Sequence, residues 1–179
     1  MALTSSSISS ISAWMGFDVT DSDARSLQQL VDKQAITEVL FAYCALLDRM
    51  DLGALAALFT EDCLVDYGPE QRLRSLGSDG LRNDLARMWR WTRTSHHLSN
   101  VTVSLDDDGE HASACSYVLA WHERPDGSTA MMMGRYEDRL VQTAGKWLIS
   151  ARRQELTGND AGFDVNINHF QRLPRPDGL

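Results

Sequence analysis

HASACSYVLAWHERPDGSTAMMMGRYEDRLV, residues 111–141, decides how the chain folds. Residues 111–123 and 129–141 are rich in strand formers, and Arg124-Pro125-Asp126-Gly127 between them is turn chemistry, so the stretch reads as an antiparallel hairpin. Working outward, Asp106-Asp107-Asp108-Gly109 joins it to a strand over 96–105, and Thr143-Ala144-Gly145 joins it to one over 146–156. Four strands connected by short turns predict an antiparallel sheet.

The preceding half has a helical period. Leu27, Leu30, Val31, Ile36, Val39, Leu40, Tyr43, Leu46 and Leu47 recur at threes and fours over 21–50, with Asp21 or Ser22 as the expected cap. Asp51 is placed to cap a second helix over 52–59. Residues 61–67 read as a first strand, 72–79 as a loop, and 80–91 as a helix through Leu81, Leu85, Met88 and Trp89. Helices first and antiparallel strands afterwards define an α+β domain in which a curved sheet wraps around the helices. The expected division is a flexible arm over 1–20, the domain over 21–157, and a tail over 158–179. In the tail Phe163, Val165, Ile167 and Phe170 are apolar enough to cover a cavity mouth or a neighbouring subunit.

At 179 residues the chain suits one core. Hydrophobic residues are 43% and charged residues 23%, as in ordinary folded domains, and no apolar run reaches the roughly 18 residues of a membrane span. A net charge of -8 repels phosphate backbones and argues against nucleic acid as a partner. Cys44, Cys63 and Cys115 are scattered and lack a CxxC spacing, so neither a disulfide framework nor a zinc site is expected. A reducing cytoplasm fits, and no basic residue precedes the first apolar stretch as a secretory signal requires.

Two residues carry chemistry. Asp48 lies on the apolar stripe near the helix end, and His96 opens His-His-Leu-Ser-Asn; a carboxylate that fixes an imidazole in one tautomer makes it a general base at neutral pH. In order, Leu-Asp-Arg-Met-Asp, Leu-Phe-Thr-Glu-Asp-Cys, Val-Asp-Tyr-Gly, His-His-Leu-Ser-Asn, Gly-Arg-Tyr-Glu-Asp and Lys-Trp-Leu-Ile-Ser-Ala-Arg-Arg resemble the SnoaL-like branch of the nuclear transport factor 2-like superfamily. The resemblance implies a cone of N-terminal helices packed in a strongly curved, mainly antiparallel sheet, a cystatin-like α+β barrel. It also implies an Asp48–His96 dyad like that of scytalone dehydratase, bile-acid 7α-dehydratase and hexachlorocyclohexane dehydrochlorinase, with Tyr43 and Tyr67 as further catalytic groups. Arg152 would be a cationic pocket residue.

The expected activity is a cofactor-independent lyase, a dehydratase acting on an apolar hydroxylated substrate, aromatic or polycyclic, with no metal. Arg152, Asn100, Trp121, His97 and Met133 are the expected substrate-binding residues; His97 takes the inward place if the strand register moves by one. The same dyad serves a double-bond isomerase, a polyketide-type cyclase, or a carbon–carbon lyase releasing a small carbonyl fragment. A different class is a non-catalytic binding module or the small subunit of a ring-hydroxylating dioxygenase. A homodimer or homotrimer is expected.

Overall fold

Thr20 and Asp23 start the first helix. In the computed structural model, which describes residues 20–171, the Asp23 N–H donates to Thr20 Oγ1 (3.2 Å) and the Thr20 N–H to Asp23 Oδ2 (3.0 Å), a reciprocal capping box. The cap is therefore Thr20 and not Asp21 or Ser22. Nearly all of the expected N-terminal arm and the end of the tail lie outside the described residues.

Helix α1 (Asp21–Asp48) buries Ile36, Leu40, Tyr43, Cys44 and Leu47, one stripe at helical spacing. Its first half stays in solvent, with Leu30 64% exposed and Leu27 and Val31 about half exposed. The apolar period runs the length of the helix, but the sheet covers only the second half. Asp32 ties the middle down, its Oδ1 accepting from Trp147 Nε1 (3.1 Å) and Gln142 Nε2 (3.3 Å). Met50, at φ 56, turns the chain, and Asp51 caps α2 (Leu52–Ala56) through the Ala54 N–H.

The sheet holds β1 (Phe59–Asp66), β2 (Arg74–Leu76), β3 (Arg93–Leu105), β4 (His111–Glu123), β5 (Thr129–Thr143) and β6 (Lys146–Asn159), in the order β2-β1-β6-β5-β4-β3. Only β1 and β6 run parallel among these pairs. The expected loop over 72–79 is instead a 3₁₀ turn (Gln71–Leu73), strand β2 and the start of α3 (Gly77–Leu85), and a second 3₁₀ turn (Ala86–Arg90) follows. Arg74 to Leu76 is too short to show a period, and becomes strand by pairing with β1.

The inner face of β4 carries Ala112, Ala114, Ser116 and Ala120, small side chains that leave room beneath the sheet for α1 and a cavity. Bulges curve the strands. One interrupts β5–β6 between Met133 and Gly134, where a Cβ on Gly134 would stand 2.5 Å from the Glu155 carbonyl oxygen. Another lies where Leu140 pairs with Ile149 and Arg139 with Ala151, leaving Ser150 extra. It reverses the alternation of β6, so that Trp147 and Ile149 point inward before it and Arg152, Gln154 and Leu156 after it.

Arg152 is 1% exposed. It forks onto Asp138 of β5, with Nε and Nη2 donating to Oδ1 (2.7 Å) and Oδ2 (2.9 Å). Its Cζ lies 4.1 Å from the Tyr43 ring centroid and 4.2 Å from that of Tyr136, so aromatic faces flank the charge, while Nη1 has no hydrogen-bond partner among the described residues. Removing one partner of a buried pair leaves the other uncompensated, at a cost of about 3–5 kcal/mol. Asp138→Asn is expected to lower urea stability by about that much, and Asp138→Leu combined with Arg152→Met to recover most of it. A double variant as unstable as the single one would contradict this.

Candidate active site

The last residue of α1 meets the first turn of β3. Asp48 Oδ1 accepts from His96 Nδ1 (2.6 Å) and from the Thr94 hydroxyl (2.7 Å), and Oδ2 accepts from the His96 backbone N–H (2.9 Å). Three donors thus satisfy a half-buried carboxylate. Burial pulls its pKa up, but the side-chain and backbone hydrogen bonds from His96, the imidazole charge and Thr94 together hold it below the usual carboxylate value. An ionised carboxylate only accepts, so Nδ1 carries the proton and Nε2 keeps a free lone pair. The His96 side chain is 5% exposed and lines a cavity.

That cavity holds about 510 Å³ of empty space, its open mouth included. Tyr43, Tyr67 and Tyr136 form one wall and Trp91, His96 and His122 another, with Met132, Phe163 and Ile167 closing it. The Tyr43 and Tyr67 hydroxyls are 2.7 Å apart and share a hydrogen bond. Burial raises the pKa of both phenols, so they stay protonated donors at neutral pH. His122 packs its ring edge-to-face on His96, centroids 5.4 Å apart. Burial, and next the His96 charge, push His122 down from 6.5 to about 4, which keeps it neutral. Two buried polar atoms of the lining, Trp91 Nε1 and His122 Nδ1, have no hydrogen-bond partner among the described residues.

Asp48, His96, Tyr43 and Tyr67 thus come together, whereas the expected binding residues do not. Arg152 stands behind Tyr43 and Tyr136, committed to Asp138. Trp121 and Met133 lie on the outer face of the sheet, because neighbours on a strand alternate and it is His122 and Met132 that point inward. His97 is outward for the same reason, with Nε2 at 2.9 Å from the Ser95 hydroxyl. Asn100 is exposed, at φ 49, in the β3 bulge between Ser99 and Thr102.

Sequence reasoning missed Thr94, His122, Tyr136 and Gln154. His96 pairs across the strands with Ala120, so His122 sits two residues along on the same face; the signal was there, but reading it needed the register. The thiols are pushed up by burial, Cys44 to about 12 and Cys63 and Cys115 to about 11, leaving no thiolate nucleophile at neutral pH. Among the described residues no three His, Cys, Asp or Glu side chains converge as a metal site. No described helix is long and apolar enough to cross a membrane.

The family of SnoaL-like domains matches residues 28–153. An uncharacterised Mycobacterium tuberculosis protein is 26% identical over 144 residues, 75% of this chain and 91% of its own length. A Novosphingobium aromaticivorans protein provisionally named a scytalone dehydratase is 29% identical and superposes with a TM-score of 0.77, covering 83% of this chain and 99% of that one. A hexachlorocyclohexane dehydrochlorinase shares the fold at 18% identity, with a TM-score of 0.68 over 86% of this chain and 99% of its own. The protein described here belongs to the SnoaL-like domain family.

Proposed function

We propose that the protein is a cofactor-independent lyase, a dehydratase in which His96 is the general base. One observation carries this reading: a satisfied, ionised Asp48 holds Nδ1 of a buried imidazole that lines an apolar cavity. Nε2 takes a proton from a substrate carbon, the C–H electrons form the new double bond, and the C–O bond breaks. The departing hydroxide receives a proton from the Tyr43–Tyr67 pair or from the His96 imidazolium and leaves as water. Asp48 stabilises the imidazolium while it lasts. A base of this kind contributes about 10²- to 10⁴-fold. The cavity adds exclusion of water and a fixed geometry.

The names of the dehydratase and the dehydrochlorinase above support elimination as the reaction class. The Tyr43–Tyr67 pair equally suits an enolate oxygen, which keeps the double-bond isomerase as second reading. A cyclase or a carbon–carbon lyase would use the same base. A non-catalytic module or a dioxygenase small subunit has no use for an imidazole held this way. Exposed Tyr117, Leu119, Met131 and Met133 on the outer sheet face suit assembly into a dimer or trimer, and three free thiols suit the cytoplasm.

Asp48→Asn and His96→Ala are each expected to lower turnover by about 10²- to 10⁴-fold with little change in melting temperature. The assay is mass-resolved turnover of hydroxylated apolar compounds without added cofactor: loss of water marks the dehydratase, loss of a larger fragment the carbon–carbon lyase, and unchanged mass the isomerase or cyclase. Near-normal turnover in either variant would refute the dyad.

His122 predicts a pH dependence of stability. Above its ordinary 6.5 neither the folded nor the unfolded chain protonates it, so it contributes nothing. Between 6.5 and about 4 the unfolded chain takes the proton and the folded one does not, so stability falls as pH falls. At about 1.4 kcal/mol per pH unit the loss is complete near pH 4, at roughly 3 kcal/mol. Urea midpoints of His122→Phe should fall less than those of wild type between neutral pH and the bottom of that window; equal losses would remove His122 from the account.

A further inference from the structure

The cavity has a cationic mouth. Apart from His96, whose side chain is buried, the lining residues that reach solvent are Arg87, Met88, Arg90 and Val165. Arg87 reaches over the Tyr67 ring, Cζ 5.4 Å from its centroid, and Arg90 lies 4.9 Å from the Trp91 centroid. Arg124 also lies 4.9 Å from that centroid, and Arg72 adjoins Arg87 through its carbonyl.

Two of these four arginines have counter-ions. Arg72 is 2.6 Å from Glu70, and Arg124 is 3.9 Å from an exposed Asp164. Among the described residues Arg87 donates only to carbonyl oxygens, of Asp84 (2.7 Å) and Arg72 (3.4 Å), through Nη1. Arg90 has neither a hydrogen bond nor a carboxylate partner among the described residues. This accumulation runs against the net charge of -8. Like charges held together raise the energy of the empty site; burial first and the Arg87 charge second lower the pKa of Arg90, and the Asp164 carboxylate offsets part of this.

We propose that the cavity takes an aromatic or polycyclic carboxylic acid, its ring body among Tyr136, Met132 and Phe163 and its carboxylate on Arg87 and Arg90 at the mouth. The apolar lining accounts for the body and the unpaired guanidiniums for the charge. A carboxylate fits because Arg87 has spent Nη1 on carbonyls and keeps only the Nε–Nη2 edge, two parallel N–H groups that match two carboxylate oxygens. The open end is where an anion keeps part of its hydration, so the acid group is a handle and the reacting carbon lies deeper, at His96. The inference depends on the elimination reading for what becomes of the ligand, and not for how it binds.

Binding isolates it from turnover. Naphthoate and biphenylcarboxylate are titrated against their neutral amides by quenching of tryptophan fluorescence, in wild type, Arg87→Gln, Arg90→Gln, Arg90→Lys and His96→Ala. Wild type is expected to favour each acid over its amide by about 10- to 100-fold, the range of a charge-assisted hydrogen bond, and to lose the preference as salt rises. Each Arg→Gln variant should erase most of it with amide affinity unchanged, Arg90→Lys should restore part, and His96→Ala should keep all of it. Equal affinity for acid and amide, a preference that survives both Arg→Gln changes, or no binding of any probe would overturn the proposal. Dyad-dependent turnover of neutral substrates beside equal affinities would sink this inference alone, whereas a retained preference in a protein without His96-dependent turnover would sink the elimination reading alone.

Discussion

A fully buried guanidinium organises this molecule. Arg152 on β6 is neutralised by Asp138 on β5 and roofed by Tyr43 of α1 and Tyr136 of β5, so one charge joins two strands and the helix that crosses them. The ion pair must stay shielded on every side, which leaves α1 little freedom to slide or rotate on the sheet. Tyr43 is two helical turns from one end of the buried stripe, and Asp48 ends the helix. Fixing the ring of Tyr43 therefore fixes where the Asp48 carboxylate emerges against β3. The pair does not line the cavity, but it braces the tyrosines that do.

Around the cavity one chemical type is tuned two ways. His96 has a carboxylate on one nitrogen; His122, its ring edge against the first, is buried without a counter-ion and stays neutral. Environments that separate two like groups in this manner divide proton transfer from hydrogen bonding. The same contrast recurs among the arginines: Arg152 is sealed and paired, whereas Arg87 and Arg90 are open and, among the described residues, form no ion pair.

Turn chemistry made the sheet legible. Asp106 to Gly109, Arg124 to Gly127 and Thr143 to Gly145 place the three hairpins that link β3 to β6, and β4 begins and ends where residues 111–123 read as strand. Asp48 and His96 were legible because a carboxylate on an apolar stripe and a histidine in a strand are chemically conspicuous. What escaped was anything that depends on phase or on a distant partner. Both faces of β4 carry apolar residues, so the sequence of β4 alone does not say that His122 looks inward and Trp121 outward. The extra Ser150 reverses the alternation of β6, and nothing local announces a bulge. Arg152 was expected to meet a ligand from the family resemblance, and the partner and tyrosine roof that occupy it instead, Asp138, Tyr43 and Tyr136, come from other elements. In the 3₁₀ turn over Ala86–Arg90, Arg87 and Arg90 are three residues apart and so share one side, at the cavity.

The parallel pairing of β1 with β6 also orders events in time. Leu64 finds its partner Ala151 only after most of the chain has left the ribosome, while β3, β4, β5 and β6 pair in sequence as they appear. Non-local pairing of this kind is the slow part of folding. Phe163 and Ile167, which close the cavity, emerge later still. The tyrosine wall is therefore covered only once a segment that follows the last strand has packed over it.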